Sequence, residues 1–384
     1  MKQLSFEFFD TFTCIGSNCP DTCCKGWSIS IDDNTAKIYQ NTEGAFGTRL
    51  KENIEEKDGL FYFRMIDGQC PFLNNDKLCE IYRNIGPDKM CDTCRTYPRI
   101  SWLHGDILFH GLGLSCPETA RMILAHPYPI NFDFEEDQRS LTSSYNEDWQ
   151  LFNTLVAGMI TSVRIMQNRD LSIFTRMRLL VSFNDLLQQS IDSGAYDECR
   201  IILDAFTDPA QLATLSTEVL ASQTSFVSLF TFVLHFYKNI GSFSVSNYVH
   251  SYLDSLPQTM NFCRLLLSQP LAEDFLDDIS VEPYKIRYEQ YAVYYLTRYY
   301  MDSYTKDNTI NKVIANFIYL FSLHRLFSFG LYHQKNELLT LEDLIPVYTG
   351  ISRFLEHTSL NPDTLYQLFS DSDMADSTFL LSLI

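Results

Sequence analysis

The fold of this chain is decided by a cysteine-rich block that begins Cys14-Ile-Gly-Ser-Asn-Cys19-Pro-Asp-Thr-Cys23-Cys24-Lys-Gly-Trp27. Cysteines recur after it in Cys70-Pro-Phe-Leu, Cys79-Glu-Ile-Tyr, Cys91-Asp-Thr-Cys94-Arg-Thr-Tyr-Pro-Arg and Ser-Cys116-Pro. Nine of the 11 cysteines in the 384 residues lie in this block. Thiolates are soft ligands that bind zinc, copper(I) or iron–sulfur clusters far better than magnesium or calcium. The block therefore predicts a metal or cluster domain.

Core filling and disulfides explain the block less well. Isolated cysteines do fill hydrophobic cores, but these are crowded at short spacing beside Pro, Gly, Asp and Asn. A disulfide framework needs an oxidising compartment and is usual in much smaller secreted domains. The N-terminus carries Glu7 and has no uninterrupted apolar run leading to a cleavage site, so it does not resemble a secretion signal. We therefore expect free thiols and a cytoplasmic protein.

Zinc and an iron–sulfur cluster both fit the cysteine spacing. Zinc usually takes four ligands, often from two Cys-x2-Cys pairs, and only Cys91 and Cys94 have that spacing. Cys23 and Cys24 are adjacent, so their side chains point in different directions and seldom close on one ion. A cuboidal cluster, whose irons are spread apart, suits irregular spacing at least as well. The spacing alone leaves the two alternatives open.

The residues around the cysteines also resemble the motifs of a known family. Cys-x4-Cys-x3-Cys-Cys-x2-Trp, followed by Cys-Pro-Phe-Leu, Cys-x-Ile-Tyr and Cys-Arg-Thr-Tyr-Pro-Arg, resembles the CxxCxxCC group of zinc- or iron-chelating proteins. More closely, it resembles the bacterial flagellin lysine-N-methylases, over roughly residues 5–125. The gaps from Cys14 to Cys23 are wider than in the short signature, and Cys91 is an extra cysteine beside Cys94.

This resemblance implies a methyltransferase that uses S-adenosylmethionine (SAM) to methylate surface lysines of flagellin. It also implies an oxygen-sensitive 4Fe-4S cluster on the cysteine motif, with zinc as the alternative metal. Four cysteines suffice for one cubane, and Cys91 is an additional candidate beside the main ligand pool. That pool comprises Cys14, Cys19, Cys23, Cys24, Cys70, Cys79, Cys94 and Cys116. Cys199 and Cys263 lie outside the block, and we expect both in the hydrophobic core.

Methyl transfer to lysine requires a proton acceptor, because an ammonium group with a reference pKa of about 10.4 has no lone pair at neutral pH. Tyr97 and Asp92 are candidates by their position beside the cysteines. Arg95 and Arg99 are candidates for holding the SAM carboxylate or for balancing the charge of a thiolate-rich cluster. The sequence has neither a dinucleotide fingerprint nor a radical-SAM cysteine triplet, so it does not locate a SAM pocket.

Composition excludes some partners. A formal charge of -19 and a pI near 4.7 argue against nucleic acid, because binding it depends on Lys and Arg that neutralise phosphates. The same acidity disfavours a basic membrane-surface patch. The apolar run from Val313 to Phe329 is interrupted by Asn316, His324 and Arg325, which favours a buried core helix over a membrane span. Peripheral membrane association stays open.

The chain is expected to be mainly α-helical. Residues 1–130 form a small, irregular cysteine-rich domain with minor β structure, 131–150 an acidic connector, and 151–384 an α-helical bundle. Leu151, Leu155 and Met159 recur at helical spacing, and Ser172 can cap the next helix. Further helices are predicted at about 195–206, 209–222, 225–239, 245–256, 283–304, 310–332, 341–357 and 362–370.

A non-enzymatic function also fits the cysteine block. A module that binds zinc or iron and carries it to another protein would need the same ligands but no methyl donor. The two functions are separable because the enzyme should bind SAM and add methyl groups to flagellin, whereas a metal carrier should do neither.

Overall fold

The computed structural model describes residues 2–136, 148–219, 226–240, 284–304, 309–335, 337–357 and 361–384. Within these ranges helices dominate, and strands are confined to the N-terminal third. The prediction of a mainly α fold with minor β structure near the N-terminus is confirmed. Two features of the sequence analysis, Cys263 and the helix expected at 245–256, lie outside the described residues.

Short elements alternate with loops in the N-terminal third. The strands are β1 (Lys2–Phe6), β2 (Ser30–Ile31), β3 (Ile54–Lys57), β4 (Leu60–Phe63), β5 (Arg99–His104), β6 (Ile107–Leu112) and β7 (Phe132–Glu136). The helices are α1 (Asp33–Asn41), α2 (Gly44–Glu52), α3 (Glu80–Ile85), α4 (Asp92–Thr96) and α5 (Pro117–Ala125). Asp32 caps α1 by accepting from the Thr35 backbone N–H, and Pro117 occupies the first turn of α5, as its sequence position predicts.

Two sheets organise these elements. One has the order β2-β4-β3, with antiparallel pairing, and lies over the cysteine loops. The other has the order β5-β6-β1-β7, in which β1 pairs with β6 in parallel and with β7 in antiparallel register. The strand β7 falls in the first part of the segment expected as an acidic connector. The limits of the domains themselves stay a prediction.

The helical part follows the sequence periodicity closely. Its helices are α6 (Trp149–Gln167), α7 (Ile173–Asp192), α8 (Tyr196–Thr207), α9 (Pro209–Val219), α10 (Phe226–Ile240), α11 (Tyr284–Tyr299), α12 (Ile310–Lys335), α13 (Leu341–His357), α14 (Pro362–Ser370) and α15 (Ser377–Leu383). A short 3-10 turn, Tyr300–Tyr304, extends α11. Ser172 caps α7 as predicted, since its hydroxyl accepts from Thr175 N–H at 3.1 Å.

Hydrophobic packing divides the N-terminal third in two. Phe6, Ile107 and Phe109 of the four-stranded sheet belong to the same core as the helices. The three-stranded sheet instead covers a separate small core that includes Tyr39, Phe72 and several cysteines. The four-stranded sheet thus joins the cysteine-bearing part of the chain to the helices.

A buried ion pair network holds α11 against α7 and the connection that precedes it. The Glu289 carboxylate is 1% exposed and accepts from both Arg169, at 2.8 to 3.1 Å, and Arg176, at 2.8 Å. Within α12, Ile310–Tyr332 is long and apolar enough to cross a membrane, but 89% of its most apolar window is buried against other parts of the protein. Such burial is typical of a core helix in a folded protein.

Candidate functional site

The structure gathers most of the cysteines beneath the three-stranded sheet. Cys70 and Cys91 are buried in the small core, and three further cysteines pack against it, Cys24, Cys79 and Cys94. Loop geometry explains this convergence, because the Cys70 backbone N–H donates to the Cys24 carbonyl at 2.8 Å and Leu73 pairs with Cys79 across a turn. The turn at Asn74-Asn75-Asp76 thus brings Cys70 and Cys79 to the same core.

The sulfur atoms form a short chain and a pair. The Cys24 thiol hydrogen-bonds with the thiols of Cys23 and Cys70, and Cys91 hydrogen-bonds with Cys94. Cys79 lies close enough to Cys23 and Cys91 for their charges to interact. Cys116 interacts with Cys19 and Cys23 from the opposite side. The structure therefore places Cys91, the additional candidate, among the pooled cysteines, whereas Cys14 is exposed at their edge.

The donor set fits a thiolate-binding metal or cluster by its chemistry. All nine cysteines of the block are free, and Cys24 and Cys94 each interact with several other thiols of the group. However, among the described residues no three Cys, His, Asp or Glu side chains approach closely enough to hold a single ion. The thiols are thus grouped in the described part of the chain without forming a closed single-ion site.

Several of the thiols, among them Cys24, Cys79 and Cys116, have a raised pKa. A hydrogen bond with Cys23 lowers the pKa of Cys24, but the bond with Cys70 and burial outweigh it and raise the pKa to about 12. Burial likewise raises the pKa of Cys79 and of Cys116. Cys91 is the exception, because the bond from Cys94 lowers its pKa. Metal binding here must release protons and will therefore depend on pH.

The C-terminal end of α13 adjoins the Cys116 loop. Ser115, which precedes Cys116, donates its hydroxyl proton to Glu356 Oε2 at 2.8 Å. Its oxygen also lies 3.1 Å from His357 Nε2 and 3.2 Å from the Tyr97 hydroxyl. Because Ser115 has one proton and Glu356 can only accept it, Ser115 Oγ is left as an acceptor for the histidine and the tyrosine.

Two tyrosines of α11 complete the coordination of Glu356. Tyr294 and Tyr299 each donate to Glu356 Oε1 at 3.2 Å, and Ser352 donates to the same oxygen at 3.0 Å. Tyr294 also accepts from the Leu114 backbone N–H at 3.1 Å. Four hydroxyl groups thus fix the carboxylate beside the cysteine loops, two from the tyrosine-rich helix, one from Ser352 of α13 and one from Ser115.

Aromatic rings form the other side of this site. The Trp27 indole, four residues after Cys23, stacks on the His357 ring at 4.5 Å and lies 5.7 Å from the Tyr97 ring. Trp27 Nε1 donates to the Cys23 carbonyl at 2.8 Å, which fixes the indole against the first cysteine loop. All three rings are only partly buried, so a ligand from solvent can reach them.

A buried arginine joins the helix end to two cysteine loops. Arg353 is 5% exposed and forms an ion pair with Asp21, between Cys19 and Cys23. Its guanidinium also donates to the Ser115 carbonyl at 3.1 Å and to the Thr22 carbonyl at 3.2 Å. One side chain of α13 therefore positions both loops.

The remaining sequence candidates have identifiable neighbours. Asp92 and Arg95 are exposed and pair with each other at the surface. Arg99 donates to the carbonyls of Phe9 and Phe12, at 3.1 and 2.9 Å, and so supports the segment that leads to Cys14. Of the two catalytic candidates, the structure brings Tyr97 into the Ser115 network and leaves Asp92 outside it.

Sequence reasoning missed the contribution of α13. Arg353, Glu356 and His357 occur in Ser-Arg-Phe-Leu-Glu-His, which reads as an ordinary amphipathic helix end. Their partners lie more than 200 residues earlier in the chain. The available signal was a basic, an acidic and an imidazole side chain within five positions. Surface helices commonly carry the same types of side chain, so the signal was not specific.

Comparison with known proteins defines the class first. Residues 13–117 match the model of the CxxCxxCC domain, which is described as a zinc- or iron-chelating domain, and this match supports a metal cofactor. Residues 160–383, more than half of the chain, match the FliB lysine N-methylase C-terminal domain. The chain belongs to the FliB lysine N-methylase family, which confirms the resemblance seen in the cysteine motif.

Individual relatives match over the same length of chain. The flagellar biosynthetic protein FliU of Salmonella muenchen is 33% identical over 137 residues, which cover 33% of this chain and 81% of the relative. The lysine-N-methylases of Salmonella choleraesuis and Salmonella typhimurium are each 32% identical over 137 residues, and the match covers 34% of each relative. The match thus spans about a third of the lysine-N-methylases. No solved structure matches the chain.

Proposed function

We propose that this protein is a SAM-dependent protein-lysine N-methyltransferase that acts on surface lysines of flagellin in the cytoplasm. We further propose that it carries a 4Fe-4S cluster on its N-terminal cysteines. The observation that carries the proposal is the meeting of the Glu356–His357 helix end with the Cys116 loop, in a chain of the FliB lysine N-methylase family. A proton-accepting group and a soft-ligand site thus lie side by side.

The chemistry of lysine methylation explains the need for this arrangement. A lysine ammonium must lose a proton before its nitrogen can attack a methyl group, and its reference pKa is about 10.4. A side chain that takes up this proton accelerates such a step by roughly 100-fold to 10,000-fold. We assign this part to His357, whose ring lies at the partly exposed face of the site.

The hydrogen bonds of His357 suit it to accept the proton of the lysine substrate. Nε2–H donates to the Ser115 hydroxyl, which in turn donates to the Glu356 carboxylate, so Nδ1 of the neutral ring is left to accept the proton and the charged imidazole is stabilised through Ser115. Burial lowers the pKa of His357 more than the neighbouring Glu356 raises it, so the ring is neutral and able to accept a proton at pH 7. Tyr97 acts as a positioning residue through the same hydroxyl.

The aromatic rings and the charge of the protein suit a lysine substrate. Electron-rich faces of Trp27 and Tyr97 attract an ammonium or sulfonium group by cation–π interaction. The formal charge of -19 raises the local concentration of a basic substrate around the protein. The partly buried position of Trp27 and Tyr97 allows a side chain displayed on a flagellin surface to reach them.

The cluster would be held by four cysteines of the central group. Cys23, Cys24, Cys70, Cys79, Cys91 and Cys94 lie around the small core, with Cys116 on the side of Ser115. When bound through four thiolates, a 4Fe-4S cluster supplies an electron reservoir. A single zinc ion is the alternative metal.

A metal-carrying module is the second candidate function. Cys14 and Cys23 are exposed at the edge of the cysteine group, where they could pass an ion to a partner protein. Such a carrier would exchange metal without binding SAM. A metal carrier would have no catalytic role for the Ser115–Glu356–His357 network.

The two functions are tested on one anaerobically purified sample. Iron, acid-labile sulfide and zinc are measured together, and the protein is then incubated with SAM and unmethylated flagellin. We expect about four irons and four sulfides per chain and a flagellin mass increase of about 14 Da per methyl group.

The outcomes separate the parts of the proposal. Stoichiometric zinc without sulfide, together with methylated flagellin, would remove the cluster and keep the methyltransferase. Metal that exchanges with a chelator, in a protein that neither binds SAM nor modifies flagellin, would establish the carrier instead.

A further inference from the structure

A second group of polar side chains lies buried among α11, α12 and α13, away from the cysteines. We define the buried basic cluster as Arg287, Tyr288, His324 and Arg325, which are 8%, 2%, 1% and 3% exposed. Five of its atoms have no hydrogen-bond partner in the described part of the chain: Arg287 Nη1, Tyr288 Oη, His324 Nδ1 and Nε2, and Arg325 Nε. Buried polar groups are normally bonded, so this group needs an explanation.

Aromatic rings surround the cluster. The His324 ring stacks on Tyr348 at 4.1 Å and meets the edge of Tyr291 at 4.3 Å. Tyr288 and Arg325 both pack on Phe321, at 4.9 and 5.6 Å. The unbonded donors therefore lie in one aromatic-lined part of the core where three helices meet.

No carboxylate that the structure describes forms an ion pair with the arginines of this cluster. The one nearby buried carboxylate that the structure describes on α11, Glu289, is already bound by Arg169 and Arg176. Neither Arg287 nor Arg325 forms an ion pair with a described residue, although Arg325 donates to the Leu383 carbonyl at 3.0 Å. Burying an unpaired cation costs several kcal/mol, so the geometry calls for an anion.

We infer that the buried basic cluster binds the carboxylate of an amino-acid-like ligand. Guanidinium groups match carboxylates in shape as well as charge, and Tyr288 and His324 can supply further donors. The faces of Tyr291 and Tyr348 suit the positive part of such a ligand, an ammonium or a sulfonium. A free amino acid and the methionine end of the methyl donor share this chemistry. Assigning the site to the donor rests on the proposed function, whereas the carboxylate site does not.

Binding to the full-length protein tests the inference. The probes are S-adenosylhomocysteine and methionine, which carry the amino-acid carboxylate, and methylthioadenosine, which keeps the nucleoside and lacks the carboxylate. Titration calorimetry is performed on the wild type and on Arg287→Met, Arg325→Met and His324→Phe, which keep the length or shape of each side chain. The matched control is Arg200→Met, because Arg200 is an exposed arginine on α8.

We expect each cluster variant to bind S-adenosylhomocysteine at least tenfold more weakly than the wild type and Arg200→Met do. Methylthioadenosine should bind to the wild type, the cluster variants and Arg200→Met with the same weak affinity. In the absence of ligand, Arg287→Met should unfold at the same temperature as the wild type or higher, because an unpaired buried cation has been removed. A purely structural arginine would instead lower the unfolding temperature and leave ligand affinity unchanged.

Other outcomes identify the source or overturn the site. Binding of methionine but not of S-adenosylhomocysteine supports the carboxylate site with a free amino acid as its ligand. If Arg287→Met and Arg325→Met bind S-adenosylhomocysteine and methionine with the wild-type affinity, the inference is overturned. Retained S-adenosylhomocysteine binding in a protein that does not methylate flagellin refutes the proposed function alone.

Discussion

The Arg353 guanidinium pairs with the Asp21 carboxylate across 332 positions of the chain. Asp21 lies between two ligand candidates, Cys19 and Cys23, whereas Arg353 lies in the last two turns of α13. The same guanidinium binds the carbonyl of Ser115, next to Cys116. The cysteine loops and the helical core are therefore connected at the candidate site itself. A structural change in one of them should alter the other.

Replacing Arg353 by Met should remove the connection between the cysteine loops and α13. Because one partner of a buried pair is removed, the free energy of unfolding should fall by about 3–5 kcal/mol, and the purified protein should retain less metal. Urea unfolding and metal analysis on the same sample measure both effects. Arg121→Met, which breaks the more exposed pair with Glu342, should change stability by no more than about 1 kcal/mol. Wild-type metal content in Arg353→Met would show that the loops hold their geometry without the helix.

Cysteine substitutions should divide into two classes. Cys24→Ala and Cys91→Ala remove thiols of the central group, so we expect most of the bound iron or zinc to be lost. Cys199→Ala serves as the control, because Cys199 is buried in the helical core, where sequence analysis expected it. It should keep full metal content and cost roughly 1–2 kcal/mol of stability as a small cavity. Metal loss that is equal in all three variants would exclude a specific ligand role.

Glu289 should be among the most costly positions to change. Its buried carboxylate neutralises Arg169 and Arg176, so Glu289→Gln leaves two guanidinium groups short of a counter-charge. We expect a loss of about 3–5 kcal/mol in the free energy of unfolding. The matched control is Glu198→Gln on the exposed face of α8, which should stay within about 0.5 kcal/mol of the wild type. Similar stabilities of the two variants would mean that the network adds no net stability.

The sequence predicted the helices well and the sites only partly. Helices expected at 209–222, 310–332 and 341–357 occur at 209–219, 310–335 and 341–357, because long amphipathic segments reveal their period locally. The terminal helix α15 was not predicted, since seven residues carry little periodicity. The parallel pairing of β1 with β6 joins segments a hundred residues apart and has no local signal.

The same limit applied to the candidate site. The thiols were recognisable because cysteine is rare and its chemistry is specific. Glu356 and His357 were not, because a carboxylate or an imidazole gains its function from partners that only tertiary packing supplies. Tyr97 and Asp92 were both named by their proximity to cysteines in the sequence, but only tertiary packing places Tyr97 beside Ser115 and Asp92 at the surface beside Arg95.

Asp302 should give the protein a pH-dependent stability. Burial raises the pKa of this carboxyl from 3.8 to about 6, although Arg298 opposes the shift. The folded state then holds the proton more tightly than the unfolded state, so stability is complete below pH 4 and falls as the pH rises to 6. Asp302→Asn cannot ionise and should gain about 1 kcal/mol over the wild type at pH 7, a value reduced for screening because Asp302 is 37% exposed.

The difference between the two proteins should be measured by urea unfolding at pH 3.5, 5 and 7. Nearby His104 titrates in the opposite sense, because burial and Arg298 lower its pKa to about 4 and it favours the folded state when neutral. Taking the difference between variant and wild type removes most of that contribution. A gain that is as large at pH 3.5 as at pH 7 would show that ionisation of Asp302 is not its cause.

His357 should be required for methyl transfer but not for metal binding. His357→Gln keeps a polar side chain that can reach Ser115, yet it cannot accept a proton from the substrate. We therefore expect kcat to fall by roughly 100-fold to 10,000-fold, with unchanged metal content and only a small change in unfolding. His235→Gln is the control, because the His235 ring nitrogen bonds the Leu368 carbonyl on α14. Methylation of flagellin by His357→Gln at the wild-type rate would remove this residue from the mechanism, and Glu356→Gln would then show whether the carboxylate receives the proton directly.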